Sequence, residues 1–106
     1  MWIDYFKFNL ENFKIMGMKL YKLKHLPTGL FYTPSKGSGN LSTKGKIYVN
    51  LIPKLDWCKQ VRIIFHPEVK SKKNKVLSET FNVDLTKYRV DEIFRTKPED
   101  WEIIEI

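Results

Sequence analysis

The sequence has a single cysteine and no long apolar segment. Cys58 has no partner for an internal disulfide, which fits a reducing cytoplasm. No run approaches the roughly 18 apolar residues that a membrane-spanning helix needs. The first residues, MWIDYFKFNLENFKIM, carry acidic and amide side chains where a secretory signal peptide has an uninterrupted apolar core. The sequence therefore predicts a soluble cytoplasmic protein that does not enter a membrane.

Residues with catalytic or metal-binding chemistry are also scarce. His25, His66 and Cys58 are far apart and lack the spacing of a metal site. A lone cysteine beside Trp57 is typical of a small buried side chain rather than of a nucleophile. The acidic residues between positions 99 and 105 alternate as they do on an exposed strand, which indicates a solvated face. We therefore expect no catalytic residue, no metal, no cofactor and no small-molecule substrate, so the protein is predicted not to be an enzyme.

Positive charge is abundant and unevenly distributed. The 106 residues include 19 Lys and Arg against 12 Asp and Glu, a net charge of +7. Residues 19–90 hold 15 of these cations and four of the acids, whereas residues 91–106 are net acidic. Such a distribution favours a polyanion or an acidic protein surface as the partner, although abundant lysine can also serve solubility alone.

The first seventeen residues have the periodicity of a helix. Gly17 is a typical helix end, so residues 1–17 are predicted to form an N-terminal helix. Met18 offers an alternative start of translation, in which case this helix would be an extension before the domain. The alternation in WIDYFKF leaves a strand open as another interpretation. Apolar side chains recur at spacings of four, four and three residues, at Trp2, Phe6, Leu10 and Phe13.

Residues 18–106 have the pattern of one small β-rich domain. Hydrophobic residues make up 42% of the chain, which is enough to build a core. Segments 19–26 and 29–33 predict a hairpin, and segments 46–52, 61–66, 76–85 and 101–106 predict further strands. Residues 53–60 predict a turn or one helical turn, residues 68–75 a basic loop, and residues 87–94 either a strand or a helical turn. The predicted fold is α+β but mainly β: a small antiparallel sheet or partly closed barrel with one N-terminal helix.

The stretch SKGSGNLSTKGKIY, at positions 35–48, invites comparison with a phosphate-binding loop. A Walker-type loop needs four residues between its glycine and the Gly-Lys pair, followed by a hydroxyl residue. Here five residues separate Gly39 from Gly45, and Ile47 stands where the hydroxyl is needed. The stretch is better interpreted as a turn between strands. Its lysines leave open a contact with a nucleic-acid backbone.

Basic residues interleaved with aromatic ones predict a nucleic-acid-binding sheet face. Tyr48 and Lys46 share one face of a strand, opposite Ile47, Val49 and Leu51. In the next strand, Val61, Ile63 and Phe65 are expected to face the core. The residues predicted to contact nucleic acid are Lys22, Lys24, Lys44, Lys46, Tyr48 and Arg62, with Lys70, Lys72, Lys73 and Lys75 as a mobile basic arm.

Three short motifs resemble small uncharacterised proteins of tailed phages. The motifs are TGLFY at positions 28–32, STKGKIY at 42–48 and WEII at 101–104. The resemblance covers residues 18–106 and leaves the N-terminal segment outside it. It implies a phage origin and expression in the cytoplasm of an infected bacterium, and it transfers no site residue.

These observations predict a non-enzymatic phage accessory protein whose basic sheet face binds a polyanion, with DNA or RNA as the leading partner. One alternative is a protein-binding inhibitor of a host or anti-phage defence enzyme. It would dock on that enzyme through its own amphipathic N-terminal helix. Another is a minor virion or oligomer-building component. The residues predicted to contact a protein partner are Trp2, Tyr5, Phe6, Leu10 and Phe13.

Overall fold

The computed structural model describes residues 17–106 of the chain. This part is mainly β, with two antiparallel sheets and one α-helix, and it does not form a closed barrel. Short 3-10 turns at Leu55–Cys58 and Pro98–Asp100 precede two of the strands. In chain order the elements are β1 (Leu20–His25), β2 (Phe31–Thr33), β3 (Asn40–Ser42), β4 (Tyr48–Val49), β5 (Gln60–Phe65), α1 (Lys72–Thr80), β6 (Val90–Arg95) and β7 (Trp101–Glu105).

The predicted N-terminal helix lies outside the described residues, so it stays a prediction. The same holds for the five side chains assigned to protein binding, Trp2, Tyr5, Phe6, Leu10 and Phe13.

The larger sheet is organised around β1. Strand β7 pairs antiparallel with β1 along nearly its whole length, with Leu23 opposite Ile103. Strands β2 and β4 pair with the two ends of β1, and β3 extends the sheet beyond β2. The predicted hairpin is confirmed, because the Gly29 amide donates to the His25 carbonyl and closes the turn between β1 and β2. The C-terminal strand is confirmed as well.

The smaller sheet consists of β5 and β6, which pair antiparallel from Gln60 opposite Arg95 to Phe65 opposite Val90. The segment that was open to two interpretations, residues 87–94, therefore contains a strand. A bridge joins the two sheets, because the Arg62 amide donates to the Gly39 carbonyl at 2.8 Å. Gly39 is required there, since a Cβ atom would lie 1.9 Å from the Tyr32 ring.

The core lies between the two sheets and the helix. Strand β5 contributes Val61, Ile63 and Phe65, which are all buried, as the alternation of this strand predicts. Helix α1 contributes Leu77 and, just after its end, Phe81. The larger sheet contributes Leu23, Tyr32, Leu41, Tyr48 and Trp101.

The secondary structure predicted for two segments around the helix is wrong. Residues 68–75 were expected to form a loop and 76–85 a strand, whereas Lys72–Thr80 is an α-helix. Ser71 caps this helix, because its Oγ accepts a hydrogen bond from the Asn74 amide at 3.1 Å. Leu77 and Phe81 are spaced by four residues, a spacing that places both on one side of a helix and also on one side of a strand.

The prediction that Tyr48 lies on the outer face of residues 46–52, opposite Val49 and Leu51, is wrong. Only Tyr48–Val49 forms a strand, Tyr48 is buried in the core, and Val49 and Leu51 are exposed. Asn50 ends the strand with a φ of 53°, and its amide donates to the Lys19 carbonyl. Alternation fixes which residues share a face but not which face turns inward, and here the large aromatic ring takes the inner side.

Candidate nucleic-acid interface

A groove lies between the start of α1 and the segment that leads into β6. It consists of two adjoining hollows of about 360 and 290 Å³, which share Pro67, Lys70 and Leu85. We call it the lysine groove. Its cations are Lys70, Lys72, Lys75 and Lys87, and its large apolar side chains are Val69, Leu85 and Tyr88.

Local hydrogen bonds hold both walls of the groove. On one wall, the Asn74 side chain donates to the Val69 carbonyl at 2.9 Å, which ties the loop after β5 to the helix. On the other wall, the Thr86 amide and hydroxyl both donate to the Asp84 carboxylate. These hydrogen bonds from Thr86 lower the pKa of Asp84. The side chains that line the groove therefore stand on backbone with a defined conformation.

The groove lysines outnumber the acidic side chains that line the groove, since Glu68 is the one carboxylate in its lining. Lys87 lies 3.8 Å from the Glu92 carboxylate, a distance typical of a weak exposed ion pair. Within residues 17–106, no carboxylate lies within 4.0 Å of Lys70, Lys72 or Lys75. The first turn of α1 contains no acidic residue either, although the positive end of the helix dipole favours one there. The groove thus carries a positive field suited to an anionic ligand.

Tyr88 is the most exposed large hydrophobic side chain of the described residues, at 76%. Its ring lies 5.0 Å from the His66 ring, with the two planes tilted by 61°. The His66 Nδ1 lies 3.2 Å from the Tyr88 carbonyl oxygen and, because a carbonyl only accepts, donates to it. This contact fixes the backbone that carries the tyrosine at the mouth of the groove.

The predicted basic arm is a helix rather than a mobile loop. Lys72, Lys73 and Lys75 belong to α1, and Lys70 precedes it by two residues. Three of the four predicted lysines line the lysine groove. Lys73 instead lines a cavity of about 310 Å³ on another side of the helix, together with Arg62.

Arg62 is engaged with a carboxylate. Its Nε and Nη2 donate to the two oxygens of Asp91 at 2.7 and 2.8 Å, and Arg89 lies 3.6 Å from the same carboxylate. These hydrogen bonds lower the pKa of Asp91 and raise that of Arg62. Arg62 is on the outer face of its strand as predicted, but its charge is offset by Asp91.

The lysines predicted on the larger sheet form a different region. Lys22 and Lys24 share the outer face of β1, with the Lys22 ammonium 4.8 Å from the centre of the Phe31 ring. Lys24 pairs across the sheet with Glu102. The lining of the lysine groove includes none of these lysines, and neither Lys44 nor Lys46.

Tyr48 cannot serve as an exposed stacking ring, so this prediction is wrong. Its side chain is 6% exposed and lies 5.7 Å from the Trp57 ring. Burial raises the pKa of its hydroxyl, as it does for Tyr32. The Lys46 ammonium lies 5.6 Å from the centre of the Tyr48 ring and faces the ring from outside the core.

The buried side chains of Cys58 and His25 pack within the core. Burial raises the pKa of Cys58 to about 12, and its thiol donates to the Leu55 carbonyl at 3.2 Å. His25 is packed between the Phe81 and Trp101 rings, and burial lowers its pKa. Over residues 17–106, no group of three or more His, Cys, Asp or Glu side chains could hold a metal ion. The helix in this part of the chain is too short and polar to cross a membrane.

The groove residues that were absent from the predicted interface include Val69, Leu85, Lys87 and Tyr88. The pairing of β5 with β6 places them there, because Phe65 stands opposite Val90 and so brings the residues that follow β5 beside those that precede β6. The only signal in the sequence was the Lys87–Tyr88 pair ahead of a possible strand.

Comparison of the chain with protein-family models, with curated proteins and with solved structures gave no match.

Proposed function

We propose that this protein is a non-enzymatic nucleic-acid-binding protein and that the lysine groove is its binding surface. The observation that carries the proposal is the grouping of Lys70, Lys72, Lys75 and Lys87 around a groove that also holds an exposed tyrosine. Cations that neutralise phosphates, next to an aromatic ring, are the combination that nucleic-acid-binding surfaces use. The role of a phage accessory protein in the bacterial cytoplasm is part of the same proposal.

Electrostatics supports an anionic ligand at this groove rather than at the larger sheet. Lys70, Lys72 and Lys75 lie at the start of α1, where the positive end of the helix dipole disfavours cations, so a polyanion would relieve an unfavourable arrangement. On the larger sheet, by contrast, Lys24 is opposite Glu102, and Lys22 already contacts the Phe31 ring.

The test compares double variants that change the net charge equally. Lys72→Glu/Lys75→Glu alters the groove, and Lys22→Glu/Lys24→Glu alters the outer face of β1. The control reverses Lys54 and Lys59, two exposed lysines outside both regions and outside the 35–48 stretch. Binding of a labelled oligonucleotide is followed by fluorescence anisotropy at low salt, with polyglutamate as a competitor.

We expect the groove variant to lose about tenfold or more in affinity, because fewer phosphates are neutralised. The control variant should change affinity only slightly. An equal loss in all three variants would mean that net charge alone attracts the oligonucleotide, and a loss confined to the variant of β1 would move the interface to the larger sheet. If polyglutamate competes as well as an oligonucleotide of equal charge, the proposal that nucleic acid is the partner is refuted.

A second candidate function is protein binding, including self-association as an oligomer-building component. The observation that favours it is a group of exposed apolar side chains at the end of β4 and just after it, with Val49, Leu51 and Ile52 at 40%, 51% and 61% exposure. Exposed apolar patches are typical of protein contacts. Light scattering on the wild type and on Leu51→Ser/Ile52→Ser tests it. A larger species that the double variant abolishes would support this candidate, and a monomer at all concentrations would exclude self-association.

The predicted docking segment is tested by deletion of residues 1–17. Nucleic-acid binding through the lysine groove should survive this deletion, because every groove residue lies beyond position 66. Loss of oligonucleotide binding in a truncated protein that still folds would contradict the assignment to the groove alone.

A further inference from the structure

We propose that the lysine groove takes single-stranded nucleic acid, with Tyr88 as the ring on which a base stacks. This inference rests on the proposed function and specifies its substrate class. Its basis is the placement of one accessible aromatic ring in the same hollow as two lysines that can contact a phosphate backbone.

The exposure of Tyr88 leaves its ring available to a ligand. Tyr88 as a whole is 76% exposed, so its ring is not covered on both faces. His66 is the neighbouring ring, and its tilt of 61° gives an edge-type contact rather than a parallel stack. The open face is therefore free to accept a planar base.

The fold itself gives little reason for a tyrosine at this position. Core packing on this side is provided by Val90, two residues further on, which is 1% exposed. The tyrosine hydroxyl donates to no other residue in the described part of the chain, and the His66 hydrogen bond goes to the main-chain oxygen of Tyr88. Substitution of the side chain leaves that hydrogen bond intact.

The geometry favours a single strand over a duplex. In a duplex the bases are stacked on one another and offer no face to a protein side chain, whereas an unpaired base can stack on an aromatic ring. Lys70 and Lys87 line the same hollow as Tyr88 and outnumber its one carboxylate, Glu68, so the phosphates next to a stacked base would have cations close by. Stacking is tolerant of base identity, so we expect weak sequence preference.

The test separates the base from the phosphate. Anisotropy is measured with a labelled thymidine oligomer, with a strand of equal length made of abasic sites, and with a duplex. The proteins are the wild type, Tyr88→Ala, Tyr88→Phe and Lys72→Gln/Lys75→Gln. Circular dichroism and thermal unfolding confirm that each variant is folded.

We expect the wild type to prefer the thymidine oligomer to the abasic strand. Tyr88→Ala should weaken binding of the thymidine oligomer by roughly 5- to 150-fold, the range for loss of a stacked base, and should leave the abasic strand unaffected. Tyr88→Phe should bind like the wild type, because the ring and not the hydroxyl is required. The lysine variant should weaken both strands alike.

Two outcomes would overturn the inference, and they differ from failure of the proposed function. In the first outcome, Tyr88→Ala binds every strand like the wild type while the lysine variant loses affinity. The groove would then bind nucleic acid without a stacking ring. Equal or tighter binding of the duplex would also refute single-strand preference. Absence of binding to all three probes at low salt would instead refute the proposed function.

Discussion

Replacement of Lys72 by Glu should stabilise the fold and weaken ligand binding at the same time. Lys72 is the first residue of α1, where its charge opposes the positive end of the helix dipole. Removal of this unfavourable charge and addition of a favourable one are each worth roughly 0.3–1 kcal/mol at low ionic strength. We therefore expect about 0.6–2 kcal/mol of added stability.

The matched control lies at the other end of the same helix. Glu79 is exposed in the last turn, which has no basic residue, so Glu79→Lys also improves the match with the dipole. Thermal unfolding at low salt should raise the midpoint of both variants, by ~4 °C or more for each kcal/mol. Only Lys72→Glu should lose affinity for an oligonucleotide, because only Lys72 lines the lysine groove.

The unfolding midpoint and the affinity for the oligonucleotide test two separate arguments. If Lys72→Glu lowers the unfolding midpoint, the argument from the helix dipole is wrong. If it raises the midpoint but binds as the wild type does, Lys72 has no part in the interface.

Other predictions concern the interior. Because the pKa of His25 is lowered by burial, the unfolded chain takes up the proton first. Stability should thus fall as the pH drops below about 6.5 and level off below the folded pKa, and chemical denaturation should reveal a smaller loss for His25→Gln. Gly39→Ala should destabilise the protein by about 3 kcal/mol or more, at or above the upper end of the usual cost of overpacking, because the new methyl group would lie 1.9 Å from the Tyr32 ring. Gly37→Ala meets no atom within 4 Å and should carry only the cost of its positive φ, about 1–2 kcal/mol; equal effects in urea denaturation would refute the steric argument. Cys58 should resist a thiol reagent until the protein is denatured, and rapid labelling of the native protein would contradict its burial.

The strands that could be predicted are those whose pattern has a single interpretation. In β5 the buried Val61, Ile63 and Phe65 alternate with exposed residues, and this alternation fits no helix. The turn after His25 was predictable because Pro27, Thr28 and Gly29 interrupt the apolar pattern between two strands.

Other features depend on contacts that the chain makes only after folding. Leu77 and Phe81 satisfy both a helix and a strand, and Ser71 decides between them by capping the helix. The facing of β4 depends on which side chain fills the space beside Trp57, and Tyr48 does so. The groove was hidden because it is built from two segments that only the pairing of β5 with β6 brings together.

The most direct test of the lysine groove is the salt dependence of binding to a single-stranded oligonucleotide. If four lysines neutralise phosphates, the plot of log K against log salt should have a slope of about −2.8, or an affinity loss of roughly 50-fold between 50 and 200 mM. Lys72→Gln/Lys75→Gln should reduce the slope to about −1.4. A slope that this double variant leaves unchanged, or a wild-type slope near zero, would contradict the assignment of the lysine groove as the nucleic-acid interface.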